Sequence, residues 1–170
     1  SGSVTAGTLT LSVGAFNSVP GGQATAGNVN LLVDGGVLTL TEITDTSLSI
    51  GASGVGSDND GSTGDTTPGL GIGGNIDVTL QGGGTMTMGT ADFTGDGLIA
   101  GVIDGQGVVP SGQGGSGVGG SVTFNLNGST FTATDLNVSA SGFASDGGDS
   151  VIDDPFLGII PNVVGDGGVG

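Results

Sequence analysis

Apolar and polar residues alternate strictly in three segments that align without gaps: 27–35, 74–82 and 120–128. The apolar columns are Val29/Ile76/Val122, Leu31/Val78/Phe124 and Val33/Leu80/Leu126, with mostly Asn, Asp and Thr between them. A period of two predicts strands with one buried face. Glycine closes each segment, at Gly35, Gly82 and Gly128. The segments start at residues 27, 74 and 120, so they recur at a step of 46 to 47.

A second block repeats in the same phase. Residues Val4 to Phe16 align gap-free with Phe131 to Phe143, and Met86 to Phe93 form a middle copy. In the remaining copy Leu48 and Ile50 fit after a short insertion, giving the columns Leu9/Leu48/Ala91/Leu136 and Leu11/Ile50/Phe93/Val138. This block reads as two short strands with a bend near Gly7, Gly89 or Thr134. Each unit is therefore three short strands followed by a loop of similar length. The loops, rich in Gly, Ser, Asp and Pro, are placed at 56–73, 99–119 and 144–170. The units are 1–26 (partial, without its opening strand), 27–73, 74–119 and 120–170, one repetitive β domain over residues 1–170. No stretch carries a helical period, and glycine at this density opposes helix.

Equivalent apolar columns at a constant step are expected to stack on one another. The expected fold is all-β: a right-handed β-solenoid of about 3.5 glycine-rich repeats with long loops, its strands stacked ~4.8 Å apart. The alternative is an antiparallel β-sandwich or jelly roll, with Asp34-Gly35 and Asn127-Gly128 as hairpin turns. A third option folds each long loop into a coil of its own. Neither end shows a polar capping unit, and open strand edges seek partners. The expected partners are copies of itself or further repeats of the same chain. The opening Ser1-Gly2-Ser3 is expected of a processed product or a stretch cut from something longer.

Composition narrows the chemistry. Of 170 residues 41 are glycine; there is no Lys, Arg, His or Cys, and 16 acids leave a net charge of −16. Nucleic-acid binding needs cations against phosphate, and an anionic membrane surface needs them too. Catalytic triads, Schiff-base lysines and zinc sites of Cys or His are excluded by missing residue types. No apolar run is long enough for a membrane helix, so no membrane insertion is expected. Without cysteine the redox compartment stays open. Carboxylate, hydroxyl, amide and backbone remain, a set suited to a hard cation or to no chemistry. The chain is expected not to be an enzyme and to hold no cofactor other than calcium.

Candidate calcium ligands are Asp58, Asp60 and Asp65 in one acidic loop, and Asp146 and Asp149 in another that also holds Asp153 and Asp154. Residues Asp92 to Gly97 open like an EF-type loop, but its twelfth position is Ile103 and Asp104 comes one late. Against these stands the plain reading of solvated acidic loops. Paired carboxylates could serve a carbohydrate-active β-helix, although they show no recurrent pairing. Thr-x-Thr triplets at 8–10, 39–41, 85–87 and 132–134 could bind ice if they formed a flat array, but they shift between the aligned columns. Outward threonine is otherwise an ordinary strand residue. Two sequons, at Asn127 and Asn137, and the many hydroxyls make glycans a candidate partner. Phe156, Leu157, Ile159, Ile160, Val163 and Val164 form an apolar run without alternation; it either folds back over the domain or makes assembly contacts.

The run Gly119 to Phe124, then Leu136 to Phe143, then Asp146-Gly147-Gly148-Asp149, resembles glycine-rich repeats of large bacterial surface exoproteins. These are the filamentous-haemagglutinin-like, β-strand-repeat and autotransporter-passenger proteins. The resemblance implies a right-handed β-helix, export and adhesion or matrix formation; it brings no catalytic residues. This chain departs from it in having no basic residue and in its long apolar loops. The expected function is a structural one: a repeat section of an extracellular filament or adhesin stalk at the bacterial cell surface, self-associating end to end. An acidic calcium-dependent surface-layer protein is the alternative.

Overall fold

A computed structural model of the chain describes residues 2–19, 21–42, 45–57, 68–100, 115–143, 153–154 and 158–159. Among them every regular element is a strand. The chain makes four successive passes. The first holds β1 (Ser3–Ala6), β2 (Leu9–Ser12), β3 (Ala15–Phe16) and β4 (Gln23–Thr25). The second holds β5 (Val29–Asp34), β6 (Val37–Leu40), β7 (Thr46–Gly51), β8 (Gly54–Ser57) and β9 (Leu70–Ile72). In the third are β10 (Asn75–Gln81), β11 (Thr85–Thr94), β12 (Gly97–Ala100) and β13 (Ser116–Val118), and in the fourth β14 (Ser121–Leu126) and β15 (Thr130–Ser139). Two-residue strands β16 (Asp153–Asp154) and β17 (Gly158–Ile159) pair antiparallel with each other.

All other described pairings are parallel and join equivalent strands of neighbouring passes. Strand β10 lies between β5 and β14, with Ile76 opposite both Val29 and Val122. Strand β11 pairs along its length with β15, and on its other side with β6 and β7, which pair in turn with β1 and β2. Two further three-stranded parallel sheets are β3–β8–β12 and β4–β9–β13. The antiparallel sandwich is thereby overturned. The expected hairpin turns fail for a local reason. Gly35 and Gly128 have φ of 62° and 60°, a left-handed turn, but each bends the chain into a strand of a different sheet instead of reversing it.

The core lies between the β5–β10–β14 sheet and the β6–β11–β15 sheet. Ile76, Val78, Leu80, Met86, Ala91 and Phe93 of the third pass are wholly buried, as is Leu48 of the second. Phe124 packs edge-on between Phe93 and Phe131, with ring centroids 5.0 and 5.4 Å apart. The insertion expected near Leu48 is real. Ser47 is an extra residue where β7 faces Thr90 and Ala91, and the register shifts by one there. Its buried hydroxyl donates to the Glu42 carbonyl at 2.6 Å and accepts from Gly89 N–H at 3.0 Å, so the bulge leaves neither group unsatisfied.

The stretches read as loops differ from expectation. Both 56–73 and 99–119 are entered and left by strands, β8 and β9 in one, β12 and β13 in the other. Their described inward residues are glycines: Gly54, Gly56, Gly71, Gly97 and Gly117. A Cβ on Gly71 would sit 2.0 Å from the Leu98 carbonyl oxygen; one on Gly54 would sit 2.0 Å from that of Ile72, and one on Gly97 2.1 Å from that of Val118. The two small sheets thus meet backbone to backbone, far closer than the ~10 Å usual between stacked sheets.

Candidate functional site: two open sheet edges and the polar faces between them

With no cation in the chain, three of the described carboxylates are held by neutral donors from neighbouring passes. Asp34 accepts from the Gln81 amide at 3.0 Å. Asp92 accepts from the Thr46 hydroxyl at 2.9 Å and the Asn137 amide at 2.7 Å. Asp96, nearly buried, accepts from the Ser139 hydroxyl and the Ser141 N–H at 2.6 and 2.8 Å. In the paired registers no acid lies beside another. Asp77 sits between Asn30 and Thr123, Asp92 between Ser49 and Asn137, and Asp135 beside Thr90. Like charges directly opposite would be destabilising, and the step of 46 to 47 avoids them.

These carboxylates form no metal cage: among the described residues no cluster of three ligating side chains occurs. The EF-type reading of Asp92 to Gly97 is overturned, because Asp92, Phe93 and Thr94 are extended strand and Phe93 is core. Asp58, Asp60, Asp65, Asp146 and Asp149 lie outside the described residues, as do Phe156, Leu157, Ile160, Val163 and Val164. Ile159 is described only as backbone in β17. A shallow depression of about 420 Å³ lies along the outer side of β7, β11 and β15, lined by Ser49, Asp92, Thr94, Asn137 and Ser139 with Phe93, Leu136 and Val138. Its single carboxylate, Asp92, offers no acid–base pair.

The threonines are more ordered than their spacing implied. Thr5, Thr39, Thr87 and Thr132 are consecutive register partners, and Thr85 and Thr130 pair two residues along the same strands. The triplets shift because Thr39 and Thr132, which open theirs, pair with Thr87, which closes its own, and the column continues on β1 at Thr5 rather than in the triplet at 8–10. Strand segments 3–6, 37–40, 85–88 and 130–133 contain no acid at all.

The strongest feature is the pair of open ends. Leu136 and Val138 continue the columns of the wholly buried Ala91 and Phe93, yet they are 49% and 50% exposed, and among the described residues no strand pairs with the outer edge of β15. At the other end Val4 and Phe16 are 60% and 68% exposed. Strands β1, β2 and β3 on one side, and β14 and β15 on the other, present a free hydrogen-bonding edge among the described residues. The described strands at the two edges carry few acids: residues 1–33 hold none of the 16 and residues 115–143 only Asp135. Ten acids lie between residues 34 and 104, and five between 146 and 166. The sequence reading missed this distribution, although the positions of the acids carry it plainly.

Comparison with family models, with curated proteins and with solved structures gives no match.

Proposed function

We propose that the chain is a structural protein, a right-handed β-solenoid section of an extracellular bacterial filament or adhesin stalk that associates end to end. Four passes through one parallel sheet, with three through each of the others, are what a solenoid requires. A right hand is the rule for crossovers between parallel strands of one sheet. The observation that carries the functional reading is the core left uncovered at both ends among the described residues. Leu136, Val138 and Val4, which continue buried columns, expose apolar surface beside strand edges that no described strand pairs, and outward Phe16 adds to it, a combination that folded proteins normally hide or charge. A filament or a longer stack hides it at every junction but the last. Native material imaged by negative-stain electron microscopy should show rods of uniform width. Compact, monodisperse particles at every concentration would contradict the reading.

The in-register threonine column favours a second reading, an ice-binding face. Hydroxyls repeat across the strands every ~4.8 Å, and along β1, β11 and β15, though not at Val37 of β6, every second residue, about 6.6 Å. Such an uncharged lattice can order water in a regular sheet. Inhibition of ice recrystallisation by the chain, lost in Thr87→Asp, is the result this reading requires; growth of ice unaffected by the unaltered chain would remove it.

A further inference from the structure

We infer that the partner at the fourth-pass edge is the first pass of a second copy, docked in one register: Val4 beside Phe131, Leu9 beside Leu136, Leu11 beside Val138 and Phe16 beside Phe143. This rests on the end-to-end reading and specifies its junction.

Spacing supplies the first argument. On the free edge of the first pass, the last inward residue of β1, Ala6, and the first of β2, Leu9, are three residues apart. Ala133 and Leu136 on β15 are also three apart, with Met88 and Ala91 as their partners on β11. The second pass differs, since Leu40 and Leu48 are eight apart and carry the Ser47 bulge. A first-pass edge therefore fits β15 over both strand segments without insertion, whereas a second-pass edge does not.

Charge supplies the second argument. At −16 per copy and no cation, any two copies repel. Contact is least opposed where acids are absent, and the first pass has none. The one acid described on the fourth-pass edge, Asp135, would meet Thr8, not a carboxylate. In this arrangement Leu136 and Val138 gain the cover that Ala91 and Phe93 already have. The two surfaces differ from each other, so the junction is heterologous, and because it repeats the pass-over-pass translation of the strands it does not close into a ring, which gives an open filament.

Cysteine pairs test the register, because the chain has no cysteine of its own. Thr5 and Thr132 are outward, exposed and three strand spacings apart within one copy, ~14 Å, too far for a disulfide. Across the proposed junction they are adjacent, ~4.8 Å apart. The full chain carrying Thr5→Cys with Thr132→Cys should give a ladder of covalent multimers under mild oxidation, collapsed by reductant. The pair Ser3→Cys with Thr130→Cys should do the same, and guards against a folding defect in either variant. Thr5→Cys with Asn125→Cys on β14, over which the first pass has no strand, should give no ladder. Rods that form without a ladder from the first two pairs would overturn this register while leaving the end-to-end reading intact. Absence of both rods and ladders would overturn both, and would point to residues 144–170 of the same chain as the cover.

Discussion

Phe93 and Val138 occupy the same column, one pass apart, and differ only in what lies above them. Phe93 is enclosed by neighbouring passes and by Phe124. Truncating it leaves a cavity, so Phe93→Ala should cost about 3–5 kcal/mol in denaturant unfolding. Leu136→Ala, at the half-exposed end of its own column, should cost about 1 kcal/mol in the unassembled chain. Equal costs would mean that the fourth pass is covered. Ser47 offers a second residue-scale test. Ser47→Ala removes the partner of both the Gly89 N–H and the Glu42 carbonyl, and should lower stability by about 1–3 kcal/mol. A neutral result would show that the bulge relaxes.

Among the elements, the glycine-faced strands set the most specific demand. At Gly71 an added methyl meets the Leu98 carbonyl oxygen at 2.0 Å and that of Gly54 at 2.7 Å, both backbone atoms that cannot swing aside. Gly71→Ala should therefore force β9 away from β8 and β12 and destabilise by about 1–3 kcal/mol. Gly7, between β1 and β2, has open space around it and no left-handed φ. Gly7→Ala should be neutral or stabilising by about 0.4–1 kcal/mol, through the unfolded chain. Thermal melts of the two variants separate these outcomes; a stable Gly71→Ala would mean the small sheets do not meet face to face. The same contrast explains what the sequence could reveal. Strands β5, β10 and β14 were legible because Val29, Ile76 and Val122 alternate with polar residues at a constant step. Strands β8, β9, β12 and β13 were not, because an inward glycine carries no hydropathy signal and reads as loop. The threonine column was misjudged for a related reason: counting triplets hid Thr5, which stands alone on β1. The candidate calcium and assembly residues sit in the stretches where alternation stops, so the pattern gave no register by which to place them.

For the whole molecule, charge and shape act together. Sixteen uncompensated acids keep copies apart over roughly a Debye length, about 10 Å at 0.1 M salt, while the described edge strands, which hold Asp135 alone, allow close approach. Raising ionic strength from low to physiological should therefore promote association, read as increased light scattering, and Leu136→Asp should suppress it at all salt concentrations. Dissociation on adding salt would mean that an ionic contact, not apolar burial, holds the copies together. The central claim is that strands stack pass over pass along one axis and continue from copy to copy. Electron diffraction from aligned rods tests it most directly. The account predicts a ~4.8 Å reflection along the rod axis, with strands perpendicular to it. That reflection lying across the axis, or compact particles with no rod axis at all, would contradict it.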